Sequence, residues 1–228
     1  MTTTRPLQVH RLGTLSYERG LEWQRAALEK VRAGGPEQLA LLEHTPVYTL
    51  GARAHRGSLR VSEVELPAPL VTSDRGGDVT FHGPGQLVAY PVLDLRARGM
   101  RPGDYVRALE EVVLASIAAF GVEGERWVGR PGVWVRSAGL DGAPAKVAAI
   151  GVRVREGVTQ HGLALNVTTD LGWYAPIIPC GIEDATVTSL ERVLGRAPSM
   201  GAVEEALVAA FAAVFGCAAI EERELAHA

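Results

Sequence analysis

The sequence predicts an α+β fold, a mixed β-sheet packed by helices. Short stretches of β-branched and aliphatic residues recur along the chain, and three amphipathic helical segments fall between them at irregular intervals. The regular strand–helix alternation that builds a parallel sheet is absent.

Ser16 is placed to cap a first helix running to about Arg32 and stopped by Gly34, Gly35 and Pro36. Residues 38–43 and 47–50 read as two short strands around Pro46, and 69–72 as another. Residues 75–86 read as a glycine-rich loop. A strand over 87–95 follows, interrupted or edged at Pro91, since proline cannot donate to a central ladder. Asp104 is expected to cap a helix over 105–120, closed by Gly121, with Val106, Leu109, Val113, Ile117 and Phe120 at helical spacing. Residues 132–135 form a short strand. Strands at 147–154 and 161–167 form a hairpin turned at Glu156 and Gly157. A last helix starts near Ser199 and ends near Phe215, with a closing strand at 217–220. No polar linker divides the chain, so residues 1–228 are expected to act as a single domain.

Composition narrows the function. Hydrophobic residues make up 47% and charged residues 21% of the chain, ordinary for a globular protein. No apolar run is long enough to span a membrane, and residues 1–13 lack an apolar signal core, so a cytoplasmic location is expected. The net charge of −3 argues against nucleic acid as a partner. Residues 1–60 nevertheless carry a balance of +4 and residues 199–228 one of −4. A basic half can steer an acidic protein; the plainer reading is a mixed, solvated surface. Two cysteines are too few for a disulfide framework, and the histidines show no metal-ligand spacing.

Four segments can carry chemistry. In the run Arg75-Gly76-Gly77-Asp78-Val79-Thr80-Phe81-His82-Gly83-Pro84-Gly85-Gln86, glycines let backbone approach a ligand closely and polar side chains flank the turns. The plainer alternative is a tight hairpin. Pro179-Cys180-Gly181 puts a cysteine on a sharp turn, where its sulfur can face a pocket if a positive neighbour favours the thiolate; otherwise it is a small buried hydrophobe, the fate expected of Cys217. Lys146 is one of only two lysines among 23 basic residues and sits in an almost wholly apolar stretch. Arginine serves wherever charge alone suffices, so a lysine here suggests proton exchange, against the alternative of an ammonium reaching out from an edge strand. Lys30, on a charged helix, reads as a surface residue. Finally, Gly162 and Ala164 alternate with Leu163 and Leu165 after His161, leaving one small-residue strand face that can hold a slender apolar chain or pack against a neighbour.

Together these segments resemble the octanoyltransferases of lipoate biosynthesis, the lipoyl(octanoyl) transferases. The resemblance rests on residues 75–86, Lys146-Val147-Ala148-Ala149-Ile150-Gly151, His161 to Asn166 and Pro179-Cys180-Gly181, with residues 43–51 flanking. The family usually has tyrosine where this chain has Phe81. The resemblance implies a biotin/lipoate protein ligase-like fold, Cys180 as acyl-thioester nucleophile and Lys146 as its acid/base partner. It implies an acyl site lined by Arg75, Gly76, Gly77, Asp78, Val79, Thr80, Phe81, His82, Ala149, Ile150, Gly151, Gly162, Leu163 and Ala164. The implied donor is octanoyl-acyl carrier protein. The implied acceptors are lipoyl domains of 2-oxo-acid dehydrogenase complexes and the glycine-cleavage carrier protein. No metal or other cofactor is implied. The readings set against this are an ATP-dependent ligase on the same fold, a noncatalytic acyl-binding protein, and a Cys–His hydrolase using His82 or His161.

Overall fold

The structure, a computed structural model, describes residues 6–54, 56–136, 143–179 and 186–221. Its centre is a nine-stranded mixed sheet. The strands are β1 (Leu7–Leu15), β2 (Glu37–His44), β6 (Gln86–Val92), β7 (Gly124–Trp127), β8 (Arg130–Val135), β9 (Ala145–Arg155), β10 (Val158–Asn166), β11 (Thr186–Val187) and β12 (Ala219–Glu221). They lie in the order β12-β1-β2-β6-β10-β9-β8-β7, and β11 pairs with β9. A second, three-stranded sheet joins β3 (Val47–Leu50), β4 (Leu70–Thr72) and β5 (Val79–His82) in the order β4-β3-β5. The helices are α1 (Tyr17–Arg32), α2 (Pro102–Ala118), α3 (Leu190–Leu194) and α4 (Met200–Phe215). No described helix is long and apolar enough to cross a membrane.

One face of the large sheet carries α2 and α4. Tyr105, Leu109, Val113 and Ile117 of α2 and Val203, Leu207 and Phe211 of α4 meet Leu163, Leu165 and Val147 in one buried cluster. Each such side chain stabilises the fold by roughly 1.5–3 kcal/mol when taken from water. The other face carries α1 and the small sheet. Ser16 caps α1, accepting from the Arg19 N–H, and Ser199 caps α4, accepting from the Ala202 N–H, both as expected. The β9–β10 hairpin turns at Glu156 and Gly157, at φ of 54° and 89°, also as expected.

Several expectations need correction. Helix α2 starts at Pro102 behind Arg101, not behind Asp104; proline's fixed φ suits the first helical position, and Asp104 pairs with Arg101 within the first turn. The glycine-rich run is not all loop, because 79–82 form β5. Nor is it a hairpin: β5 and β6 belong to different sheets, and Gly83-Pro84-Gly85 is the corner between them. Pro91 is not at an edge. Its strand is central, paired with Leu39 of β2; on the β10 side the ladder is only interrupted, between the Leu163–Ala89 pair and the Thr159 N–H that donates to the Leu93 carbonyl, with His161 at φ 57° between them. A Cβ on Gly162 would lie 2.7 Å from Pro91 Cδ, so the proline ring fills the side where the ladder has opened. Strands β1 and β7 and helix α3 were not read from the sequence, and the closing strand begins at Ala219, after Cys217. Cys217 is a core residue whose thiol is pushed up by burial, and Lys30 is exposed. Part of the charge asymmetry is satisfied internally, by the 3.1 Å Arg11–Glu204 ion pair from β1 to α4.

Beneath α1 lies a buried polar seam. His44 Nδ1 is 3.1 Å from the Leu15 carbonyl and so donates, leaving Nε2 to accept from Tyr90 OH at 2.7 Å. Tyr17 OH shares a 2.7 Å hydrogen bond with Ser73. Burial holds His44 down to about 4; burial, then the neighbouring His44 and Arg75, hold His82 down to about 3. Both imidazoles are therefore neutral in the fold near pH 7, while the unfolded chain protonates them near 6.5. Below that pH the unfolded state binds more protons than the folded one, so stability falls as pH drops from 6.5 towards 4, by about 1.4 kcal/mol per pH unit for each group. Urea unfolding followed across pH 7 to 4 should show this slope, and His44→Gln should flatten it by about 1 kcal/mol per pH unit; an unchanged slope in that variant would contradict a neutral buried His44.

Candidate active site

Between the two sheets and under α1 is a cavity of about 480 Å³ counted out to open solvent at its mouth. Its floor is the small-residue face of β9 and β10. Ala149 pairs with Ala164 and Gly151 with Gly162, and all four line the cavity. Leu163 and Leu165 turn to the helical core, as strand alternation requires.

The roof is the glycine-rich run. Gly76 N–H donates to the Val152 carbonyl at 3.0 Å, so the loop crosses directly over β9. A Cβ on Gly151 would sit 2.8 Å from Gly76 O, and one on Gly51 would sit 2.3 Å from Gly77 O. The crossing thus needs glycine at both contacts. Arg75 is buried and pinned to β3: Nε and Nη2 donate to Thr49 Oγ1 at 3.1 and 2.8 Å, and Nη2 to the Thr49 carbonyl at 2.6 Å. Asp78 accepts from Ser58 Oγ and from the Val79 N–H, both at 2.7 Å, so its carboxylate organises the loop. Of the fourteen residues expected at the acyl site, Val79 and Phe81 do not line the cavity. They alternate with Thr80 and His82 on β5 and pack instead with Tyr48, Tyr174 and Ile177. Phe81 stacks on Trp173 at 4.9 Å between centroids.

His82 Nδ1 donates to Gln86 Oε1 at 2.7 Å. The Gln86 amide nitrogen is shared among Asn166 Oδ1, Tyr174 OH and the Phe81 carbonyl at 2.9, 3.0 and 3.2 Å. Asn166 in turn donates to the Thr188 carbonyl at 3.0 Å. His161 closes the far end, its Nε2 2.7 Å from Asp74 Oδ1 and its N–H donating to Gln24 Oε1. Burial lowers its pKa against the pull of Asp74. The sequence reading missed Tyr17, Val88 and Tyr90 in the wall. A tyrosine inside an otherwise apolar strand, as at 90, was the available signal, because its buried hydroxyl needs a partner.

Lys146 lies at the other end, on β9, and is 5% exposed. Its Nζ donates to the Pro131 carbonyl at 3.1 Å and sits 4.8 Å over the Trp134 ring. Gly132, at φ 120°, allows this: a Cβ there would meet Ala148 O at 2.5 Å and Lys146 Cε at 3.4 Å. The Gly132 N–H is held by buried Glu110 of α2, itself paired with Arg126 at 3.2 Å. At Lys146 the partner of β9 changes. The last β10 pair is Leu165–Ala148, and β11 then runs parallel, Val187 opposite Lys146. A small cavity beside Lys146 is lined by Thr80, Ala149, Asn166, Tyr174, Pro179 and Val187, and shares Thr80 and Ala149 with the larger one. Cys180 lies outside the described residues.

The lipoyl protein ligase A/B catalytic domain family matches residues 16–212. An octanoyltransferase of Chloroflexus aurantiacus is 47% identical over 216 residues, covering 92% of this chain and 95% of the relative. One of Rubrobacter xylanophilus is 46% identical over 218 residues, covering 92% and 94%. Among solved structures, a lipoate-protein ligase A bound with ATP superposes with a TM-score of 0.74 at 18% identity, covering 95% of this chain and 88% of that one. A bipartite lipoate protein ligase from Thermoplasma acidophilum gives 0.73 at 17%, covering 97% and 88%. These two likenesses carry the fold, a mixed sheet packed by helices, and the close relatives carry the activity class. The chain belongs to the octanoyltransferases of the lipoyl protein ligase A/B catalytic-domain family, acyltransferases of lipoate biosynthesis and protein lipoylation.

Proposed function

We propose that residues 1–228 act as one catalytic domain that moves an octanoyl group from octanoyl-acyl carrier protein to a lysine of lipoyl domains, through a thioester on Cys180. The observation that carries this reading is the anchoring of chain on both sides of Cys180 at Lys146. Pro179, one residue before Cys180, lines the small cavity with Lys146, and Val187 pairs with Lys146 in the sheet.

In the first step the Cys180 thiolate attacks the donor thioester carbonyl. The new carbon–sulfur bond forms, the carrier thiolate leaves, and Lys146 gives it a proton. In the second step the neutral amine of the acceptor lysine attacks, Cys180 leaves as thiolate, and Lys146 takes up the amine proton. An amide is more stable than a thioester, so no ATP is required. The octanoyl tail lies in the larger cavity, entering past Thr80 and Ala149 and running over Gly151 and Gly162. A Cys–His hydrolase is disfavoured, since a His82 held near 3, with Nδ1 committed to Gln86, is a poor base at neutral pH.

Incubation of Cys180→Ala with octanoyl-acyl carrier protein should give no octanoyl adduct by intact mass and almost no transfer; a persistent adduct would reject this nucleophile. Lys146→Arg keeps the charge but not the proton exchange, so turnover should drop by about 100-fold or more. A near-normal rate would exclude the acid/base role. Ala164→Leu should fill the slot and lower octanoyl transfer at least ~10-fold relative to butanoyl transfer, read by competition between the two acyl thioesters. Equal losses for both chains would place the tail elsewhere.

A further inference from the structure

The reaction proposed above gives His161 no part, yet the residue stands between two spaces. On one side it lines the acyl cavity. On the other it lines an outer pocket of about 750 Å³ counted out to open solvent, with Leu21, Arg25, Thr72 and Gln160. Among the described residues no other lines both. His161 is only 3% exposed, so its ring occupies the partition.

The backbone puts the ring there. Regular alternation along β10 would send His161 to the helical face, with Leu163 and Leu165. Its φ of 57°, uncommon for a residue with a Cβ, turns it to the cavity face instead. The N–H is fixed by Gln24 Oε1 at 2.7 Å. The ring itself has one polar tie. Nε2 donates to Asp74 Oδ1 at 2.7 Å, which leaves Nδ1 as an acceptor, and Nδ1 is buried with no hydrogen-bond partner. Buried polar atoms are ordinarily paired. A histidine with one nitrogen bare acts here through its bulk.

The length of the slot agrees. Ala149 marks its junction with the Lys146 cavity, and Val152 stands opposite His161. The three steps between them along β9 span about 10 Å. An extended chain advances about 3.3–3.6 Å for every three bonds, so the seven carbon–carbon bonds of an octanoyl group reach about 8 Å. The tail then ends beside the ring, and a longer chain meets it.

We propose that the His161 ring is the stop that sets acyl chain length in this transferase. A longer chain has to displace the ring towards the outer pocket and break its hydrogen bond to Asp74. This stop rests on the octanoyl tail lying in the cavity during the Cys180 reaction, and adds the residue that measures it.

The test uses the full chain with three substitutions. His161→Gly removes the ring and suits the positive φ. His161→Asn, also tolerant of that backbone, serves if glycine loosens the strand. His161→Phe puts a ring back without the hydrogen bond. Each variant is checked for folding by circular dichroism and offered a mixture of octanoyl- and dodecanoyl-acyl carrier protein. Intact mass reads the early partition of acyl-enzyme between the two chains, and so their ratio of kcat/KM. His161→Gly and His161→Asn should raise the dodecanoyl-to-octanoyl ratio at least ~10-fold, and His161→Phe should hold it within ~3-fold of the unaltered enzyme. An unchanged ratio in the folded ringless variants, whether the rates hold or fall together, would overturn the stop. So would a rise in His161→Phe as large as that in His161→Gly. Failure of the underlying reaction looks different: the unaltered enzyme takes up neither chain, Cys180→Ala still takes up octanoyl, or Ala164→Leu leaves octanoyl transfer intact.

Discussion

The site depends on one buried amide. Gln86 stands at the first position of β6, directly after the corner that carries the chain from the small sheet to the large one. Its oxygen holds His82 of β5; its nitrogen is shared by Asn166 of β10, the Tyr174 hydroxyl and the Phe81 carbonyl. One side chain thus ties both sheets and the turn leading towards residue 179. Each neutral hydrogen bond contributes only about 0.5–1.5 kcal/mol net, but a buried amide left without partners costs about 1–3 kcal/mol, so the arrangement is tightly specified. The two sheets cannot slide against each other without orphaning this group, and the cavity between them keeps its shape.

What the amide fixes, the glycines make thin. At Gly151, Gly162 and Gly51 a Cβ would come within 2.8, 2.1 and 2.3 Å of a backbone oxygen. These are contacts of backbone on backbone, where no side chain can yield. They bring the roof loop onto β9 and β10 onto β6, leaving a slot bounded by Ala149 and Ala164 in place of a filled core. In the proposed binding of the octanoyl tail, the same closeness excludes water, and each methylene contributes about 0.8 kcal/mol on dehydration.

The legible parts of this site were those whose physics is local. The Glu156–Gly157 turn follows from its residue types, and the small face of β10 from alternation; both hold in the structure. Twelve of the fourteen residues expected at the acyl site line one cavity because each motif is a contiguous stretch of strand or loop. Val79 and Phe81 fail for an equally local reason: part of the loop is a strand, and a strand turns alternate side chains away. Pairings between remote segments were not legible. Strand β1 is recognisable only once β2 and β12 flank it, and Pro91 reads as an edge until the local break in the β10 ladder at His161 is known. The partnership of Tyr90 with His44, 46 positions apart, leaves no trace in either segment alone.

The fold does not choose the chemistry. The same architecture, at a TM-score of 0.74, belongs to a lipoate-protein ligase bound with ATP, and a shared scaffold does not decide a reaction. In this chain the local chemistry gathers around one point on β9. There the neighbouring strand changes from β10 to β11, and Lys146 itself is paired on both sides, with Val187 of β11 and Trp134 of β8. Here its ammonium reaches a carbonyl on one side, an indole face on the other, and a small cavity whose wall includes the residue before Cys180. Nearly every other cation is an arginine, which cannot exchange protons at neutral pH. In the proposed reaction, Lys146 is the group that gives a proton to the leaving sulfur and recovers it from the attacking amine.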